Sequence, residues 1–161
     1  MPKVNCIILT RKSSGIMEPE QEAAAVYLTT PIYKANHIRL GTFIGGPITA
    51  GYFIAHNYKV FGEIGKANAA WIYAIAATIV IFGGALLIPD AINIPNYIIP
   101  ILYCWIAFYL TQYFQGSKIE AHVNSGARVF KWGRVVVIGL IGLAVTFIGL
   151  YVTLMVAADF S

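Results

Sequence analysis

Three histidines, His37, His56 and His122, are the side chains of this sequence best suited to proton transfer near neutral pH or to holding a metal. They are scattered, without the spacing of a metal-binding motif. The two cysteines do not help: Cys104 lies inside an apolar run and Cys6 near the start, with neither a disulfide framework nor a zinc spacing around them. No Gly-rich phosphate loop, nucleophile elbow or paired-carboxylate motif occurs, and Gly45-Gly46-Pro47 is not a phosphate loop because no Lys-Ser/Thr follows it. No catalytic residue, metal ligand or cofactor is therefore expected. His56 and Asn57 could contact lipid head groups at the end of an apolar segment, and Gln115 and His122 could join them from another loop. For His56 the plainer reading, an interfacial residue bonded to water or lipid, carries more weight.

The elements that would have to position these residues are hydrophobic. The chain of 161 residues is 58% hydrophobic and 11% charged, where a soluble domain has about a quarter charged. Its apolar residues come in long uncharged blocks, as membrane helices of about 20 residues require. The fold class expected is an all-α integral membrane protein, a small bundle of four membrane helical segments at about 38–56, 67–88, 97–114 and 135–157. Residues 1–37 form an N-terminal extension, partly helical, with a short strand from Val4 to Leu9 and a helix from Glu18 to Tyr27; residues 38–161 form one membrane domain. The net charge of +4 fits attraction to anionic lipid better than nucleic-acid binding, and no nucleic-acid partner is expected.

The first segment is broken in its middle by Gly45-Gly46-Pro47. Proline cannot donate a backbone hydrogen bond, and in lipid the freed carbonyls must find other partners. Two structures fit: a kinked crossing helix, or a re-entrant hairpin of two half-helices. Gly41, Gly45 and Thr49 fall four apart and make one face small. In the last segment Gly139, Gly142, Thr146, Gly149 and Thr153 make a small-residue seam along a whole helix. Such faces serve close helix packing far more often than catalysis. Ala70, Ala74, Ala77 and Gly84 make a similar stripe in the second segment, and the third is rich in aromatic residues. Within the loop 115–134, Ile119, Val123 and Phe130 keep a helical period beside Lys118, Arg128, Lys131 and Arg134, which predicts a short interfacial helix on lipid head groups.

The 11 Lys and Arg residues fall in three groups: five before the first segment's apolar run, two in 57–68 and four in 115–134. The positive-inside rule puts both loops in the cytoplasm and the C-terminus outside. A re-entrant first segment would keep all 11 on the cytoplasmic side, whereas a crossing one would complete a four-helix bundle.

Thr42-Phe43-Ile44-Gly45-Gly46-Pro47-Ile48-Thr49-Ala50-Gly51, followed by Asn57-Tyr58, resembles an uncharacterised group of small bacterial multispanning membrane proteins. These carry a T-F-(Leu/Ile)-G-G-P-(Leu/Ile) run, then small residues and an Asn-aromatic pair. The pattern Gln115, Gly116, His122, Gly126 looks similar too, and the likeness covers most of the chain beyond about residue 32. It implies a bacterial inner-membrane location and no activity. The function expected is that of a structural or accessory subunit packing against membrane protein partners or itself. The alternatives are a small oligomeric transporter or channel using the broken segment and, weaker, a lipid-modifying enzyme using His56 or His122.

Overall fold

The computed structural model describes residues 29–86, 95 and 97–159. The expected strand and helix near the N-terminus, Cys6 and most of the 89–96 connection lie outside these residues. The described residues are all-helical, with helices α1 (Ala35–Gly45), α2 (Pro47–Val60), α3 (Ile64–Leu86), α4 (Ile98–Asn124) and α5 (Trp132–Asp159).

The broken segment is a hairpin. α1 ends at Gly45, and Gly46 takes φ 78° and ψ −175°, a conformation open essentially only to glycine. Pro47 then occupies the first turn of α2, where its missing N–H costs nothing and its fixed φ suits the helix. The chain reverses at this tip. A Cβ at Gly41 would run into the Phe53 ring, and the Tyr33 ring, just before α1, lies 4.4 Å from that of Phe53 midway along α2. In a kinked rod Gly41 and Phe53 would stand about 18 Å apart. The carbonyl of Gly45, left over at the break, accepts hydrogen bonds from the hydroxyls of Thr49 (2.9 Å) and Thr146 (3.4 Å).

The two glycine faces named from the sequence meet one another. α1 lies along α5 so closely that a Cβ on Gly45 would come within 2.5 Å of the Gly139 carbonyl oxygen, and one on Gly142 within 3.2 Å of the Gly45 carbonyl oxygen. Glycine in a helix interior costs about 1 kcal/mol against alanine, and here the cost is offset by backbone-to-backbone contact. α3 packs on α2 the same way, with Ala74 against Gly51. α4 packs on α1, and the three long helices scarcely touch one another. Their common support is the hairpin.

Helix α4 corrects one expectation. Residues 115–124 are its last turns and not a separate interfacial helix. The reason is a buried stripe, Cys104, Ala107, Thr111, Gln115, Ile119 and His122, which keeps the helical period without interruption across Gly116. The helix stops at Gly126 (φ 76°), and Ile32 forms an isolated parallel bridge with Val129.

Two stretches, Ile64–Gly84 and Trp132–Val152, are long and apolar enough to cross a membrane. Only 11% of each window is buried inside the molecule, where a core helix of a soluble protein would be mostly buried.

Gly46→Ala places a side chain in open space, the nearest atom being the Thr146 hydroxyl at 3.6 Å, so its effect is backbone strain alone. A loss of about 1–3 kcal/mol is expected. Gly65→Ala, on an unobstructed helical position of α3, should be neutral or stabilising by up to about 1 kcal/mol. Thermal unfolding of both variants in mild detergent checks the contrast.

Candidate functional site

The polar residues that the sequence offered gather at the open end of the hairpin, its base, and most of them bond to the protein itself. Asn57 is fully buried, near the end of α2. Its Oδ1 accepts the N–H of Tyr33 (2.9 Å) and its Nδ2 donates to the carbonyl of the same residue (2.8 Å). The side-chain amide thus pairs with Tyr33 as a neighbouring strand would. Nδ2 also donates to Gln115 Oε1 on α4 (3.2 Å), and Gln115 Nε2 donates to the Ile54 carbonyl (3.0 Å). One Asn–Gln pair therefore closes the hairpin and fastens α4 to it. Asn57 does not face head groups.

His56 completes this closure. Its Nε2 meets the Pro31 carbonyl at 3.1 Å, and its ring lies 5.4 Å from those of both Tyr33 and Phe130. His122 is buried further along α4, 6.3 Å from the Phe61 ring, and does not join His56. His37 is buried edge-on to Trp132. The histidines thus occupy three separate places, and no group of three potential metal ligands occurs among the described residues.

Of the basic residues assigned to head groups, Lys118 reaches back to Glu63, in the turn between α2 and α3, where Lys66 also binds (3.0 Å). Arg128 and Lys131 are exposed in the connection to α5, and the Arg134 guanidinium lies over the Phe130 ring at 4.2 Å. The ends of α2 and α4 and the starts of α1, α3 and α5 share this base. Among the packing residues, Gly41, Gly45, Gly139 and Gly142 form the α1–α5 contact, Gly46 and Pro47 form the tip, and Gly149 lies past the level of the tip.

Two features escaped the sequence reading. The first is Arg39. It lies in the second turn of α1 with its guanidinium 5.2 Å from the Trp105 ring centre and 5.1 Å from that of Phe108. Two aromatic faces pack against this half-buried cation, and aromatic residues three apart on α4 were the available signal. The second is a groove of about 780 Å³ between α3 and α4. Its floor is α2, with Gly51 and Ile54; Ala70 and Ala77 line one wall, Ile106 and Leu110 the other. Polar groups gather at one end, where Tyr58, Lys66 and Gln115 stand.

Comparison of the chain with protein-family models, with curated proteins and with solved structures finds no match.

Asn57→Leu strands the N–H and C=O of Tyr33 in the interior, at a cost of about 1–3 kcal/mol for each orphaned group. Gln115→Leu leaves both groups paired to Asn57 and should cost less than half as much. Unfolding midpoints in mild detergent should fall in the order wild type, Gln115→Leu, Asn57→Leu.

Hydrogen bonds from Lys118 and then from Lys66 hold the Glu63 carboxyl below its ordinary value of 4.5. A depressed folded value means that the ion pair stabilises the protein above that ordinary value and is lost as pH falls through the folded one. A carbon-13 NMR titration should place the Glu63 midpoint below 4.5, and Lys118→Met should move it upward.

Proposed function

We propose that the chain is a structural or accessory subunit embedded in a membrane, which packs its long helices against membrane protein partners or against a second copy of itself. The observation that carries this reading is the reach of the hairpin. Its tip meets α5 at Thr146, about 21 Å from Trp132 along a helix about 42 Å long. Past the tip, α3, α4 and α5 lose their shared support and barely contact one another. Large apolar side chains cover this half, among them Ile79 and Val80 on α3, Leu102 on α4 and Phe147 and Ile148 on α5. Gly83 and Gly84 are exposed on α3, where the backbone is open to close approach by another helix.

In this reading the base is the cytoplasmic end. Lys34, Lys59, Lys66, Lys118, Arg128, Lys131 and Arg134 all belong to it. The hairpin returns to the side from which it started, in keeping with the positive-inside rule. α3, α4 and α5 then cross, and the C-terminus lies outside. The bacterial inner membrane is the location that the sequence resemblance implies.

A transport path at the tip finds less support. Gly46 is buried, the hydroxyls of Thr42, Thr111 and Thr146 bond back to carbonyls of their own helices, and that of Thr49 bonds to the Gly45 carbonyl across the break. A lipid-modifying role for His56 or His122 finds less still, because the His56 ring lies against the Pro31 carbonyl and His122 is fully buried.

Affinity purification of the tagged protein in mild detergent, followed by native mass determination, tests the proposal. A stoichiometric larger partner or a homo-oligomer is the expected result. A stable monomer from which nothing co-purifies would overturn it.

A further inference from the structure

We infer that the groove between α3 and α4 is a site for one anionic phospholipid, with its phosphate at Lys66 and its acyl chains lying over α2. The inference rests on the membrane reading above. A groove facing hydrocarbon is not filled by water, so its occupant is lipid or another helix.

Length and charge separate these two. From Lys66 to Ile81 the groove follows 15 residues of α3, about 22 Å. Length agrees with a lipid: one leaflet supplies about 15 Å of hydrocarbon, and the rest of the groove lies at head-group level. The walls suit a flexible chain, since Ala70 and Ala77 keep one side low while Ile106 and Leu110 close the other.

Polarity selects which lipid. The groove is apolar along its length and carries its one charged lining residue, Lys66, at the base. That ammonium group is largely exposed and gives one hydrogen bond to Glu63, which leaves donors for a phosphate. The Tyr58 ring lies 6.0 Å from it and the Gln115 amide lines the same end. Lys66 and Lys118, which share Glu63, outnumber it at this mouth, so an anionic head group is favoured over a zwitterionic one.

The test uses the full chain in nanodiscs of equal phosphatidylglycerol and phosphatidylcholine, released for native mass spectrometry. One phosphatidylglycerol retained per chain is expected, with phosphatidylcholine retained several-fold less. Lys66→Gln should lower that preference about fivefold, as removal of one surface cation does. Ala77→Phe should abolish retention of both lipids while the unfolding midpoint stays near that of wild type. Equal retention of the two lipids by wild type, or undiminished retention by Ala77→Phe, overturns the proposal. A lipid-free dimer that Ala77→Phe dissociates overturns it in favour of a second copy. Extraction of native membranes with alkaline carbonate separates the two levels: release of the chain would sink the membrane reading itself, whereas a chain that stays in the membrane and retains no lipid would sink the lipid site alone.

Discussion

The pairing of the Asn57 amide with the backbone of Tyr33 is the interaction on which this bundle depends. It joins the residue before α1 to the last turns of α2 and so turns two short helices into one hairpin. Neither helix would be stable alone, since 11 and 14 residues are at or below the length that holds together without packing. Once closed, the hairpin supports everything else: α5 along the glycines of α1, α4 through Gln115 and Arg39, and α3 through Gly51. The bond is strong because its surroundings are dry. A buried amide with all its partners present gains from the low dielectric that would punish a missing one.

The packing faces could be read from the sequence because they are local and periodic. Gly41, Gly45 and Thr49 recur every four residues, Gly139 and Gly142 sit on a matching stripe, and the two faces meet. The break at Gly46-Pro47 was equally plain, since each residue has its own backbone rule. Whether the chain kinks or reverses there was not legible. That choice is made by Phe53 against Gly41 and by Asn57 against Tyr33, pairs that no periodicity announces. The polar character of Gln115 suggested the end of a helix, yet it is an interior residue whose amide has found two partners. A spacing rule sees that a side chain is polar and not that a neighbouring helix satisfies it.

The residues with chemical potential show the same limit. His56 and Asn57 were sound candidates for contact with something polar, and each has a polar partner, but that partner is the chain's own backbone. Arg39 shows the converse. A cation near an apolar run suggests a membrane boundary, whereas the Trp105 and Phe108 rings allow it to sit within the helix packing. The groove was beyond the reach of sequence reasoning altogether, because a space between helices belongs to no segment.

The contact between the hairpin tip and α5 bears on how the protein is made. Gly45 and Thr146 are 101 residues apart in the chain. At about 5–20 residues per second, α5 leaves the ribosome about 5–20 s after the glycine face it will cover. Throughout that interval the hairpin can close at its base through Asn57 and Tyr33, yet its tip carbonyl lacks the Thr146 hydroxyl. The nascent protein is therefore clasped early and sealed last. Until the final helix arrives the glycine face of α1 stays uncovered, so a chain truncated before α5 would present the cell with a hairpin permanently awaiting its cover.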